Sequence, residues 1–231
     1  MLKLKSSKSL LRYPGGKSRG AKQIFEFIPA DTKEICSPFF GGGSIEIYLA
    51  KKGYQIYGYD AFQPLVDFWQ VLLKDPSKLA SQVQKKLELD ENNFKNIQHD
   101  FKENYKNYTK LKRAYLFYVL NRTSYSGTTL SGGMATDNKK RSWKRINPRF
   151  DKKSVQRLRQ FSGRNITISK IDFRKSIPKH KNSLIYADPP YYIEKNKFYG
   201  NMGDMQFKQK DHEDLAKILK RRKHWILSYN N

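Results

Sequence analysis

The chain has 231 residues, 38% of them hydrophobic and 14% aromatic, which provides for a packed core and excludes global disorder. Its apolar runs are too short to cross a bilayer, its N-terminus MLKLKSSKSL has no apolar stretch before a small-residue cleavage site, and one cysteine, Cys36, excludes an intrachain disulfide and a cysteine-cluster metal site. A cytoplasmic protein with no membrane partner is expected. The net charge of +25 is unevenly placed: residues 101–180 carry 21 basic and 4 acidic residues, with nine of the 13 arginines. A local cationic surface of that size fits a polyanion, nucleic acid ahead of an anionic membrane.

In chain order, Ser18–Ile28 repeats Ala21, Ile24, Phe25 and Ile28 on one helical face. A strand over Glu34–Phe39 runs into the glycine turn Gly41-Gly-Gly43 and a helix over Ser44–Lys52. The turn lacks both the G-x-G-x-x-G spacing of dinucleotide folds and the G-K-[ST] of a phosphate loop, so a plain tight turn and a ligand-binding loop both stay open. A second strand, Gln55–Asp60, ends on an acid where doubly wound folds hold ribose hydroxyls, although a helix N-cap reads the same way. Pro64 then sits in the first turn of a helix through LVDFWQVLL.

Helical patterns follow at Lys78–Leu87, Glu91–Tyr105 and Leu111–Leu120, and then a long polar segment from Asn121 to Arg149. Strands return at Asn165–Ser169, Ser183–Asp188 and Trp225–Ser228, with a helix over Asp211–Lys223 between the last two. Alternating strands and helices point to a doubly wound, mainly parallel sheet. The interruption predicts two units: residues 1–74 with 162–231, and an inserted, largely helical subdomain over 75–161 that holds the charge maximum.

The sharpest local pattern is Tyr186-Ala-Asp-Pro-Pro-Tyr-Tyr192 at the end of an apolar strand. Two prolines neither continue a helix nor pair inside a sheet, so they fix a bend that presents Asp188, the carbonyls of Pro189 and Pro190, and Tyr191. Acceptors beside an aromatic face suit an amino group on a planar base: the oxygens take its two N–H bonds and the ring stacks.

D-P-P-Y at 188–191, Phe39-Phe-Gly-Gly-Gly43, and Arg12-Tyr-Pro-Gly-Gly-Lys17 together resemble the hallmarks of Dam-type DNA adenine methyltransferases of the alpha group. Gly58-Tyr-Asp60, Asn121-Arg-Thr-Ser-Tyr-Ser-Gly127 and Leu227-Ser-Tyr-Asn230 resemble further landmarks of that family. The resemblance spans nearly the whole chain. It implies a Rossmann-like S-adenosylmethionine-dependent methyltransferase fold, with the insertion as target-recognition domain.

By the same resemblance, Tyr13, Gly15, Gly16 and Lys17 are N-terminal cofactor contacts, and Phe39, Gly41 and Gly43 form the loop under the methionine part. Asp60 is the ribose acid, Asp172 and Phe173 lie beside the cofactor adenine, and Asp188 serves cofactor and base. Asp188, Pro189, Pro190 and Tyr191 are the expected catalytic residues. Asn121, Arg122, Tyr125, Lys139, Lys140, Arg141, Lys144 and Arg145 are the expected contacts to double-stranded DNA carrying a flipped adenine. A prokaryotic or phage restriction–modification system, with a cognate endonuclease, is the implied setting. No metal set is legible. The sequence given stops after the fifth strand, whereas family members usually continue with two more. An apolar edge at Trp225–Ser228, covered by a further segment or a second chain, is therefore expected. A catalytically impaired DNA-binding remnant or split subunit, and an RNA amino-methyltransferase, are the competing readings.

Overall fold

The computed structural model describes residues 9–12, 17, 20–135, 150–191 and 207–229. Strands β1 (Glu34–Ser37), β2 (Gln55–Asp60), β3 (Ile166–Lys170), β4 (Leu184–Ala187) and β5 (Trp225–Leu227) form one sheet in the order β3-β2-β1-β4-β5. Every neighbouring pair is parallel. The chain builds outward from β1 to β3, then crosses back to lay β4 on the other side of β1. Strand order thus reverses between β1 and β4, and the crevice outside their carboxyl ends is where open α/β sheets bind ligands.

The two central strands are covered on both faces, and their buried residues are mostly apolar. Ile35, Leu184 and Tyr186 belong to the larger core with Leu65, Phe68 and Trp69 of helix α3. On the opposite face, Cys36, Ile185 and Ala187 pack with Phe173, Ile177, Leu215 and Leu219. The helices among the described residues are α1 (Ala21–Glu26), α2 (Ser44–Lys51), α3 (Gln63–Lys74), α4 (Pro76–Gln84), α5 (Glu91–Asn104), α6 (Lys110–Thr123), α7 (Lys152–Arg159), α8 (Phe173–Lys179) and α9 (Gln209–Leu219). Several begin on a side-chain acceptor for an otherwise orphaned N–H: Asp75, Asp90, Thr109, Asp151 and Asp172 cap α4 to α8.

Four elements differ from expectation. α7 and α8 carry no helical signal in the sequence because each is about two turns long, with three buried side chains. The polar segment does not begin as a loop: Asn121–Thr123 complete α6, and residues 136–149 lie outside the described set. The expected first helix shrinks to Ala21–Glu26. Helices α4 to α7 do occupy the stretch between β2 and β3, but they are not set apart by a core of their own. Leu79, Phe94, Phe117 and Leu158 join the cluster that holds α3 and the sheet. β5 lies at the sheet edge, with Trp225 and Leu227 exposed on one face.

Candidate active site

The crevice is built first from β1. After Ser37 the chain passes through Pro38, Phe39 and Phe40 into the glycine turn that starts α2. The Phe40 ring is buried edge-on to Trp69, with centroids 5.3 Å apart. It explains two glycines. A Cβ on Gly43, which is left-handed at φ 63°, would lie 2.7 Å from that ring, and a Cβ on Gly58 would lie 2.3 Å from it. Trp69 Nε1 donates to the Gly41 carbonyl at 3.1 Å and steadies the turn from below.

Asp60, at the end of β2, accepts from the Gly41 N–H and the Phe62 N–H, both at 3.0 Å. It therefore staples two strand ends together and does not cap α3, whose N-cap is Phe62. Burial pushes its carboxyl above the ordinary value while these backbone donors pull the other way. A carboxylate offers about four acceptor positions, and backbone donors, Ala61 among them, do not use all of them.

Across the switch point, Asp188 follows β4. Lys17 Nζ donates to Asp188 Oδ1 at 2.6 Å and to the Tyr191 hydroxyl, and lies 4.6 Å from the Tyr191 ring centroid. The Asp188 side chain is 24% exposed. Burial raises its carboxyl above the ordinary value, and the Lys17 ammonium, by hydrogen bond and charge, opposes that rise. Burial also works against the ammonium, but Asp188 and Tyr191 outweigh it and hold Lys17 above its usual range. The sequence places Lys17 among cofactor contacts; the geometry joins it to the carboxylate and the tyrosine of D-P-P-Y. Pro189 is buried and Pro190 half-buried, as a fixed bend requires.

Behind this strand end lies an acid with no counterpart in the motif reading. Glu46, in the first turn of α2, is 3% exposed and accepts from Ser37 Oγ at 2.7 Å. Burial pushes it up to about 8. A lone acid between Ile45 and Ile47 is the only sequence signal for it. Cys36 is fully buried, and burial pushes its thiol up to about 12, so it is not a nucleophile.

On the other side of the crevice, the Phe39 ring lies 5.4 Å from both Phe173 and Phe207, and those two lie 5.6 Å apart. Phe207 was not legible in the sequence: it stands in a loop two residues ahead of α9. Asp172 is mostly engaged elsewhere, capping α8 through the Arg174 N–H at 2.8 Å and pairing with the Arg174 guanidinium at 3.3 Å. Arg174 also meets Asp214 at 2.9 Å and Asp211, closing α8 onto α9.

The expected DNA contacts separate. Asn121 is 1% exposed and Arg122 8%, so neither presents a face to a duplex in this structure. Asn121 Oδ1 accepts from the Arg12 N–H at 2.9 Å, and its Nδ2 donates to the carbonyls of Arg12 at 2.8 Å and Gly127 at 3.1 Å. Its amide pairs with Arg12 as a neighbouring strand would, tying the N-terminal motif to the end of α6. Tyr125, in contrast, is 68% exposed. It stands on a loop that Gln98 of α5 holds by donating to the carbonyls of Thr129 and Gly132 at 2.8 and 2.9 Å. Tyr13, Gly15, Gly16, Lys139, Lys140, Arg141, Lys144 and Arg145 lie outside the described residues.

Together the carboxyl edge of the sheet carries a carboxylate at the glycine turn, the ring cluster of Phe39, Phe173 and Phe207, and a lysine–carboxylate–tyrosine group. A family model for D12 class N6 adenine-specific DNA methyltransferases matches residues 13–231. The chain is also similar to the Type II methyltransferase M.MjaIII of Methanocaldococcus jannaschii, at 27% identity over an alignment of 239 residues that covers 93% of this chain and 80% of the relative.

Proposed function

The chain belongs to the D12 class N6 adenine-specific DNA methyltransferases, and from that premise we propose that it transfers a methyl group from S-adenosyl-L-methionine to the 6-amino group of an adenine flipped out of duplex DNA. The observation that carries this reading is the pairing of Asp188 with Lys17 and Tyr191 at the end of β4, directly across the switch point from the glycine turn stapled by Asp60.

Asp60 and the wall of Phe39, Phe173 and Phe207 would hold the ribose and adenine of the donor. The Phe40 ring packed where Cβ atoms at Gly43 and Gly58 would fall keeps the turn low enough for its backbone to approach a ligand. Once bound, S-adenosylmethionine supplies an electrophilic methyl on a sulfonium. The chain does the rest by positioning. Asp188 and the Pro189 carbonyl accept the two amino hydrogens, which concentrates electron density on the nitrogen. Tyr191 stacks on the ring, at a gain of about 1–3 kcal/mol per stacked base. Lys17 opposes the rise that burial imposes on the Asp188 carboxyl, and Asp188 Oδ would accept the amino proton as the nitrogen–methyl bond forms and the sulfur–methyl bond breaks, with S-adenosylhomocysteine as the leaving group. Extruding the base costs a few kcal/mol, which these contacts offset.

The same reading assigns residues 75–161 to target recognition, with Tyr125 and the 139–145 cluster facing DNA. It places the enzyme in a restriction–modification pair with a cognate endonuclease. Transfer of tritiated methyl from S-adenosylmethionine to duplex DNA, to structured RNA and to no acceptor tests the proposal. Label in duplex DNA alone is expected; label in RNA alone, or in neither acceptor, would overturn it.

A further inference from the structure

Helix α7 divides into two faces. Ser154, Val155 and Leu158 are buried, while Lys152, Lys153 and Arg157 are exposed. The helix packs on α4, and Arg159 Nη2 of α7 donates to Gln84 Oε1 of α4 at 3.2 Å, so the two outer surfaces are continuous. α4 adds exposed Lys78, and exposed Lys85 stands at its C-cap. Among the described residues, none of Lys78, Lys85, Lys152, Lys153 and Arg157 forms an ion pair. The two acids at the helix starts are spent on the backbone: Asp75 accepts from the Lys78 N–H and Asp151 from the Ser154 N–H, both at 2.8 Å.

Two guanidinium groups elsewhere are matched by carboxylates. Arg174 meets three carboxylates, and Arg113 meets the fully buried Asp67. The α4–α7 face concentrates like charge with no such compensation, at a cost in mutual repulsion that an external polyanion would relieve. Gln84, Gln156 and Gln160 stand exposed among the cations, and amides are common donors to phosphate oxygens. A surface-seeking membrane helix would also need exposed large apolar side chains, and α7 exposes none.

Resting on the methyltransferase reading above, we propose that the outer face of α7 and α4 is a second, sequence-independent contact surface for the phosphate backbone of duplex DNA flanking the target. Eight helical residues span about 12 Å, room for about three phosphates of one strand. This surface lies apart from D-P-P-Y, so it contributes to affinity and not to chemistry.

The test compares the wild-type chain with K152Q/K153Q/R157Q, and with K78Q/K85Q as a second variant, by fluorescence anisotropy on 12-base-pair and 40-base-pair duplexes across a salt series. Each lost phosphate contact should flatten the log–log salt slope by roughly 0.9. The triple variant should therefore lose roughly 2 to 3 units of slope on the long duplex and little on the short one. S-adenosylhomocysteine affinity and near-ultraviolet circular dichroism should not move. Unchanged slopes on the long duplex in both folded variants would overturn the inference, as would an equal loss on both duplexes. A wild-type chain that binds long duplex but methylates no adenine would overturn the functional reading instead, so the two failures are distinguishable.

Discussion

Asp60 and Asp188 are two carboxylates at the carboxyl edge of one sheet, both raised by burial, yet they are stabilised in opposite ways. Asp60 is held by backbone N–H groups of Gly41 and Phe62, donors fixed by the fold. Asp188 is held by the ammonium of Lys17 on a flexible stem, shared with the Tyr191 hydroxyl. A fixed acceptor suits a group that must sit in one place through every turnover. An exchangeable partner suits a carboxylate that must accept hydrogen bonds from an incoming amino group and then let the product go. Under the proposed function, the contrast suits Asp60 to binding and Asp188 to chemistry.

Substitution of Asp188 should give the largest separation. Asp188→Asn should lower kcat by at least about 100-fold, the lower end for a positioned proton-accepting group, with S-adenosylhomocysteine affinity changed far less. Steady-state kinetics beside calorimetric titration would show this. Near-wild-type turnover would remove Asp188 from the reaction.

The next largest effect separates the two kinds of support. Lys17→Met removes the hydrogen bond and charge that oppose the rise of the Asp188 carboxyl. The ionised form is the working one, so the acid limb of the kcat–pH profile should move to higher pH and activity should recover as pH rises. Each unit of displacement costs about tenfold below the limb. Lys17→Arg should restore much of the profile. A uniform loss at every pH would make Lys17 a merely structural residue.

Asp60→Ala should weaken S-adenosylhomocysteine binding by about 1–3 kcal/mol, the usual range for a charged hydrogen-bond partner. The pH profile of kcat should keep its shape, because Asp60 has no part in the proton step. An unchanged dissociation constant in calorimetry would leave Asp60 as a staple of the glycine turn and nothing more.

The smallest effect on function, and a clear one on stability, belongs to Glu46. Its folded-state value near 8 lies above the ordinary 4.5, so the folded chain binds this proton more tightly than the unfolded one. That contribution is complete below about pH 4.5 and is lost as pH rises through about 8. Glu46→Gln keeps an uncharged group of similar shape, so thermal melts at pH 9 should show a higher Tm than wild type, and melts at pH 4 little difference. Equal curves at both pH values would mean that Glu46 is not buried as a neutral acid.

What the sequence made legible follows the physics of each region. β4 announces itself because both faces are buried and its residues are uniformly apolar, and D-P-P-Y stands out because two prolines allow few conformations. α7 and α8 escape notice because short helices on one side of a core need only two or three apolar residues. Asn121 is misread as a DNA contact for a related reason: an amide that pairs with backbone at Arg12, 109 positions away, looks the same in sequence as one that faces solvent. Lys17 and Asp188 are separately visible as motif residues, but the ion pair between them, spanning 171 positions, exists only in the fold.

The most direct measurement is nucleoside mass spectrometry of duplex DNA incubated with S-adenosylmethionine and either the wild-type chain or Asp188→Asn. N6-methyladenine with the wild type and none above background with the variant is the expected result. N4-methylcytosine in place of N6-methyladenine, or equal N6-methyladenine from both proteins, would contradict the assignment of Asp188 to adenine N6 methylation.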